Sequence, residues 1–231
     1  MEQLVFELAA PEPPSFANFL TGGNAEVLDV LRRTAAGKIA ETGLLLWGAT
    51  GAGKTHLLRA AVSATLARGG DTTFLAEPGM LEACDPDVLA TQALVAIDKI
   101  DDAGTEAQAR AFTLFNGLHA RGGHLVVASG VPPARLTLRE DLRTRLGWGL
   151  VYEVVALADA EKPVALAAYA RQRGLHLPAE VIDFLLVHGR RDMPWLIAAL
   201  AALDRHTLAT KRPLTVPLLR DWLQRQLRLE G

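Results

Sequence analysis

Apolar residues along this chain come in two alternating rhythms. Short unbroken apolar runs at residues 44–47, 94–97 and 125–128 have the length and composition of strands buried on both faces, and 72–75 and 151–155 read as two further strands. Between them lie longer segments whose apolar residues recur every three or four positions. The first, 25–35, carries Val27, Leu28, Val30 and Leu31. The second, 54–68, is closed by Gly69-Gly70, and the third is 105–120. Strands alternating with helices predict an α/β domain built on a parallel sheet, with helices on both faces.

The rhythm changes near Ala158. From there only helical segments follow, at 161–173, 179–188, 194–211 and 216–229, which predicts a small all-helical lid domain. Trp195, Leu196, Leu200 and Leu203 form a helical stripe, expected as lid core together with Trp222 and Leu223. At the other end, a short peptide precedes the proline-rich stretch Ala9-Ala10-Pro11-Glu12-Pro13-Pro14, whose prolines enforce extended backbone. The expected organisation is a peptide at 1–8, a linker at 9–14, a base domain at 15–157 and a lid at 158–231.

Composition narrows the function. The chain has 231 residues, 50% of them hydrophobic, enough for one sizeable core and a small satellite. Its formal net charge of −2 argues against strong direct DNA binding, which needs clustered Lys and Arg. A single cysteine, Cys84, excludes an internal disulfide and suits a reducing cytoplasm. The longest apolar stretch, 195–203, is about half of a bilayer span, so no membrane segment is expected. Glu2 and Glu7, with no basic region before a long apolar run, argue against a signal peptide. The six histidines and Cys84 show no metal-ligand spacing, and His56 reads as a packing or surface residue.

The strongest chemical signal is Gly48-Ala49-Thr50-Gly51-Ala52-Gly53-Lys54-Thr55, a phosphate loop between a predicted strand and a predicted helix. Gly51 and Gly53, with Ala52 between them, let backbone N–H groups converge on a phosphate. The helix N-terminus adds unpaired N–H groups and partial positive charge. Lys54 supplies a charge for the β- and γ-phosphates, and Thr55 a hydroxyl for Mg²⁺. Asp98 ends the run 94–97 at the ligand edge of the sheet, where it can hold a metal-bound water. A hydrolytic site of this class usually carries a second acid next. Here the residue is Lys99, which cannot act as a base while protonated. Asp101 and Asp102 are near, but a shift of three residues does not preserve the geometry. Weak hydrolysis by the chain alone is therefore expected.

Several segments together resemble the AAA+ core of the bacterial initiator DnaA, and more specifically the Hda family of DnaA-related proteins. Phe16-Ala17-Asn18-Phe19 and Gly22-Gly23-Asn24 match a segment that in the family runs past the adenine. Leu142-Arg143-Thr144-Arg145-Leu146-Gly147-Trp148-Gly149-Leu150 matches the arginine-finger segment. Asp192-Met193-Pro194-Trp195-Leu196 falls where the lid carries its nucleotide-sensing arginine. Gln3-Leu4-Val5-Phe6-Glu7-Leu8 is similar to the peptide by which such proteins bind the β sliding clamp. Gln3 would bond at a pocket rim, with Leu4, Phe6 and Leu8 as apolar anchors. The chain stops at Gly231, just after the lid helices, and has no long region before the core. Neither a helix-turn-helix DNA reader nor a helicase-interaction region is expected.

The resemblance implies a regulator that binds adenine nucleotide, with ADP expected, and Mg²⁺ through Thr55 and Asp98 if a metal binds. Its implied partners are DnaA and the DNA-loaded clamp, and a homo-oligomer remains open. Arg145 would act on ATP bound by DnaA, with Arg143 ranked second. Read from the residues alone, Arg145 would instead make a surface salt bridge to Glu140 or Asp141. Three positions depart from the family pattern: Lys99, Gly130 in place of a polar sensor, and Pro194 in place of the lid arginine. Ser129 could replace part of the sensor, and Arg190 or Arg191 the arginine, although a solvated basic turn is the plainer reading of those two. The alternative function is a self-contained AAA+ ATPase such as a helicase loader. A scaffold that never meets DnaA is a third.

Overall fold

The computed structural model describes residues 13–190, 192–210 and 213–229. The chain divides into two compact units, Pro13–Ala156 and the segment beginning at Leu157. In the first unit, helix α1 (Ala25–Ala35) precedes strand β1 (Gly43–Trp47), and helix α2 (Lys54–Leu66) leads to β2 (Thr72–Leu75). The short helix α3 (Pro86–Leu89), β3 (Leu94–Ile97), α4 (Thr105–Arg121) and β4 (His124–Ser129) follow. Helix α5 (Glu140–Trp148) and β5 (Leu150–Glu153) complete the unit. Short 3-10 turns stand at Pro78–Ala83, Ile100–Asp102 and Pro133–Arg135.

The five strands form one sheet in the order β2-β3-β4-β1-β5, and every pairing is parallel. This is the α/β architecture expected from the alternating rhythms. Parallel neighbours need crossover connections, and those crossovers put helices on both faces. Successive strand residues accordingly serve different cores. Leu45, Val95, Ile97, Leu125 and Val127 face Leu114 and Leu118 of α4 and Leu142 and Leu146 of α5. Leu44, Leu46, Leu94, Ala96, Val126 and Ala128 face Leu28 and Leu31 of α1 and Leu57 and Leu58 of α2. Both sides being buried, the central strands read as unbroken apolar runs.

The last strand ends before the expected 151–155 does. Two other contacts take its final residues. The Val154 N–H donates to the Trp47 carbonyl at 2.7 Å. Val155 is held by Asn24, whose side-chain NH₂ donates to the Val155 carbonyl at 2.9 Å while its oxygen accepts from the Val155 N–H at 2.8 Å. Asn24 stands at the N-cap of α1, yet its side chain makes no cap bond there and is spent on the sheet edge.

The second unit holds only helices: α6 (Lys162–Gln172), α7 (Ala179–His188), α8 (Met193–Thr210) and α9 (Val216–Leu229). Leu196, Leu200 and Leu203 are buried with Leu166, Leu185 and Trp222, as expected of a lid core. The rings of Trp195 and Trp222 lie 6.1 Å apart. Among the described residues, no helix is long and apolar enough to cross a membrane.

Asn24 is only 2% exposed, so its amide cannot be replaced by water without local opening. Asn24→Ala should cost about 2 kcal/mol of unfolding free energy, from two lost bonds and two stranded backbone groups. Urea unfolding followed by circular dichroism measures it.

Candidate functional site

The parallel sheet brings the C-terminal ends of β1, β3 and β4 to one edge. Gly48 leaves β1 pressed against the chain after β5, where a Cβ would stand 2.3 Å from the Val154 carbonyl oxygen. Gly51 and Gly53 both take positive φ, +81° and +102°, with Ala52 buried between them. Gly53 is further constrained by Phe19, whose ring edge would lie 2.7 Å from an added Cβ. The loop then enters α2 at Lys54.

Lys54 folds back over the loop and donates to the carbonyls of Gly48 at 2.7 Å and Ala49 at 3.0 Å. Burial pushes its ammonium below the ordinary lysine range, and the charges of Asp98 and Asp101 partly oppose that. The Thr55 hydroxyl donates to the Asp98 carboxylate at 2.5 Å. Asp98 is 4% exposed, and its other oxygen accepts the Lys99 N–H at 3.0 Å. A hydroxyl and a carboxylate meeting at the loop are hard oxygen donors of the kind Mg²⁺ takes, so both residues fit that ion. The structure thus brings Thr55 and Asp98 together at the loop, with Lys54 folded over it.

The segment before α1 packs on the same helix. The His56 ring lies 5.4 Å from the Phe19 ring, and His56 Nε2 is 2.9 Å from the Ser15 carbonyl oxygen. A carbonyl only accepts, so Nε2 carries the hydrogen. Arg32 stands 5.9 Å over the Phe16 ring. Phe19 thus packs against both the loop at Gly53 and the first turn of α2.

Beyond Asp98 the chain turns sharply. Lys99 takes the left-handed conformation (φ 54°) and opens the 3-10 turn Ile100–Asp102. Its ammonium reaches Glu77 at 3.8 Å on the surface. The turn carries Asp101 onto the end of β4, where both its oxygens accept the Gly130 N–H at 3.1 Å. Sequence reasoning set Asp101 aside. The left-handed residue that delivers it leaves no compositional trace, and only an acid close behind Asp98 hinted at it. Ser129 is engaged locally, its hydroxyl donating to the Val131 carbonyl at 2.8 Å and accepting the Val131 N–H at 3.0 Å.

Arg145 lies elsewhere. Its carbonyl oxygen would be 3.7 Å from a Cβ on Gly43, the first residue of β1. The phosphate loop follows the last residue of that strand, about 15 Å away at the usual rise. Helix α5 is fixed at both ends. Gln108 accepts the Arg139 N–H at 2.7 Å, and Gly149 runs so close to Gly43 that a Cβ would stand 2.1 Å from its carbonyl oxygen. The guanidinium of Arg145 stacks over Trp148 at 5.0 Å, and Trp148 is 70% exposed. The expected salt bridge does not form. Asp141 pairs with Arg139 at 2.7 Å, and among the described residues Arg145 pairs with neither Asp141 nor Glu140. Phe112, Arg139, Asp141, Thr144, Arg145 and Trp148 line an open groove of about 680 Å³.

In the lid, Asp192 accepts the Trp195 N–H at 3.0 Å and pairs with Arg190 at 3.2 Å. Pro194 falls in the first turn of α8, where a missing N–H is harmless. Arg191 and the peptide residues Gln3, Leu4, Phe6 and Leu8 lie outside the described residues.

The family model for the Hda lid domain matches residues 159–223. The fold resembles AMPPCP-bound DnaA from Aquifex aeolicus, at 22% identity and a TM-score of 0.70 over 83% of this chain and 64% of that one. Domain III of DnaA from Thermotoga maritima is similar over 93% of this chain and 99% of that one, at 20% identity and a TM-score of 0.71. Residues 159–223 thus form a lid domain of the Hda kind, and the fold as a whole is that of the DnaA AAA+ domain. A Holliday junction branch migration motor, RuvB of Thermotoga maritima, shares the fold at 16% identity, with a TM-score of 0.62 over 92% of this chain and 72% of that one. The AAA+ fold is thus common to proteins of different action, and this chain spans 64% of the length of the Aquifex DnaA it matches.

One consequence of the site concerns pH. Burial holds His56 below the ordinary imidazole value of 6.5, with its bond to Ser15 opposing in part. The unfolded chain therefore binds a proton at higher pH than the folded one. Stability from this group is full above the unfolded value and falls as pH drops through it toward the folded value. His56→Gln should flatten the loss of stability between about pH 7.5 and 5.5, read as urea midpoints at the two pH values.

Proposed function

We propose that this chain is a regulator of replication initiation that binds adenine nucleotide in its phosphate loop and stimulates hydrolysis of ATP held by DnaA. The observation that carries this reading is Arg145. It stands at the sheet edge opposite its own phosphate loop, stacked on an exposed tryptophan, with neither nearby acid as its partner. An arginine so placed has nothing to do in its own nucleotide site and is available to a neighbour's.

In that role the guanidinium approaches the γ-phosphate of the neighbour's ATP. Water attacks the phosphorus, the bond to the β-phosphate oxygen breaks, and ADP and inorganic phosphate leave. Charge spreads over the γ-phosphate oxygens as this happens, and a planar cation that spans two of them stabilises the transition state more than the ground state. Trp148 holds the cation by its ring face and limits the conformations it must lose on docking. The chain's own loop keeps the binding groups Lys54, Thr55 and Asp98. It lacks an acid at Lys99 and a side chain at Gly130, so its own turnover is expected to be slow. The relatedness to DnaA supports the choice of partner. The similarity of residues 3–8 to a clamp-binding peptide supports the sliding clamp as the platform that brings the two together.

The deciding measurement is ADP formed on DnaA over time, with clamp-loaded DNA present. Wild-type chain should accelerate it, and Arg145→Ala should lose about 10³-fold of that stimulation, the lower range for an arginine finger. Arg145→Lys should rescue poorly, because an ammonium lacks the planar fork. Arg143→Ala should cost less. Stimulation by Arg145→Ala equal to wild type would remove the finger from the mechanism. Fast ATP turnover by the isolated chain would instead favour a self-contained ATPase.

A second experiment addresses the platform. Deleting residues 1–8, or changing Gln3 and Leu4 to Ala, should abolish capture on immobilised clamp and leave the circular dichroism melt unchanged. Undiminished capture would refute the peptide's role.

A further inference from the structure

We propose that Asp101 is a specificity-determining residue of this chain's own nucleotide pocket. Its carboxylate stands at the γ-phosphate end and disfavours a triphosphate relative to a diphosphate. The inference rests on reading residues 48–55 as a phosphate loop, and it is independent of any action on DnaA.

Position is the first argument. Trp47 pairs with Ser129 across the β1–β4 ladder, and Ile97 with Val127 across β3–β4. Gly48 and Gly130 therefore emerge side by side from adjacent strands. A group bonded to the Gly130 N–H stands next to the phosphate loop, at the edge where nucleotides bind in open parallel sheets. Asp101 is that group, with both carboxylate oxygens 3.1 Å from the nitrogen.

The pocket makes room for it. An added Cβ at Gly130 would stand 3.0 Å from Asp101 Oδ2, so any side chain there would crowd the carboxylate. Gly130 is thus more than a lost sensor. It leaves the end of β4 to a carboxylate delivered from β3. The delivery is firm. Ile100 is fully buried, and the turn is closed by bonds from Asp102 N–H to the Lys99 carbonyl at 2.8 Å and from Ala103 N–H to the Ile100 carbonyl at 3.2 Å.

Charge is the second argument. The two carboxylates differ in what they face. Asp98 is bonded to the Thr55 hydroxyl, on the side suited to a metal ion. Among the described residues Asp101 accepts only from the backbone of Gly130, yet its charge acts on Lys54. Lys54 is the residue that would meet the β- and γ-phosphates. A diphosphate places its anionic end against Lys54. A triphosphate adds a further negative charge beside Asp101. Like charges a few ångströms apart at a partly exposed site shift a binding constant by about tenfold or more.

The test is calorimetry on the full chain with ADP and AMPPCP, each in Mg²⁺ and in EDTA. Wild type should bind ADP more tightly. Asp101→Asn keeps an oxygen for the Gly130 N–H and removes the charge, so AMPPCP should gain about tenfold on ADP, more in EDTA than in Mg²⁺. Asp101→Glu retains the charge and should retain the preference. Two results would overturn the proposal. They are an unchanged ADP-to-AMPPCP ratio in Asp101→Asn, whether or not both nucleotides weaken together, and a wild-type preference for AMPPCP. Equal loss would mark Asp101 as a structural support. Failure of the wild-type chain to bind either nucleotide would overturn the phosphate-loop reading itself.

Discussion

The hydrogen bond from the Thr55 hydroxyl to the Asp98 carboxylate is the contact on which the nucleotide edge depends. It joins the first turn of α2 to the end of β3, although β4 lies between β1 and β3 in the sheet. Only a parallel sheet permits this, because only there do consecutive strands end at the same edge. The bond also answers an energetic demand. Asp98 is nearly buried, and a buried carboxylate is costly unless its oxygens are satisfied. The Thr55 hydroxyl and the Lys99 N–H satisfy them. Without Asp98 the loop would lose its tie to the neighbouring strands. Without Thr55 the acid would be stranded.

The same ordering of strands separates two chemistries. Phosphate-binding groups gather where the strands end, because helix N-termini and converging backbone N–H groups point there. Arg145 sits where β1 begins. Nothing in α5 can carry it to the other edge, since Gln108 fixes the start of that helix and Gly149 fixes its end against Gly43. The rigidity matters for the proposed role. A finger presented on a loosely held segment would lose much of its effect to ordering on docking. One held by a ring face, on a helix pinned at both ends, loses less.

Much of this was legible in the sequence, for physical reasons. Strands buried on both faces read as unbroken apolar runs, so 94–97 and 125–128 declare themselves. The phosphate loop declares itself because few residue types permit its backbone. Legibility fails where geometry depends on a single torsion or a distant partner. The left-handed turn at Lys99 redirects Asp101 to a strand 29 residues later in the chain, and no periodicity encodes that. The partner of Asp141 was misread for a similar reason. Helical spacing offered Arg145, but Arg139, just before the helix, reaches the carboxylate first. Asn24 stands at the N-cap of α1, yet its amide is taken by the backbone of Val155, a partner 131 residues away that no local pattern signals.

The proposed reading requires a site that holds a nucleotide without readily consuming it, and the residues show how those properties come apart. Binding draws on the loop backbone, Lys54 and Thr55, all of which act on phosphate groups present in the ground state. Hydrolysis needs something more, a group that orients water and meets charge only as the bond breaks. Those tasks belong to different positions, so they can be lost independently. Here the position after Asp98 carries a lysine whose side chain runs to Glu77, and the end of β4 carries a glycine whose N–H is taken by Asp101. Neither substitution touches the loop. Such a division would suit a chain that keeps its nucleotide while, as proposed, Arg145 acts on a neighbour's.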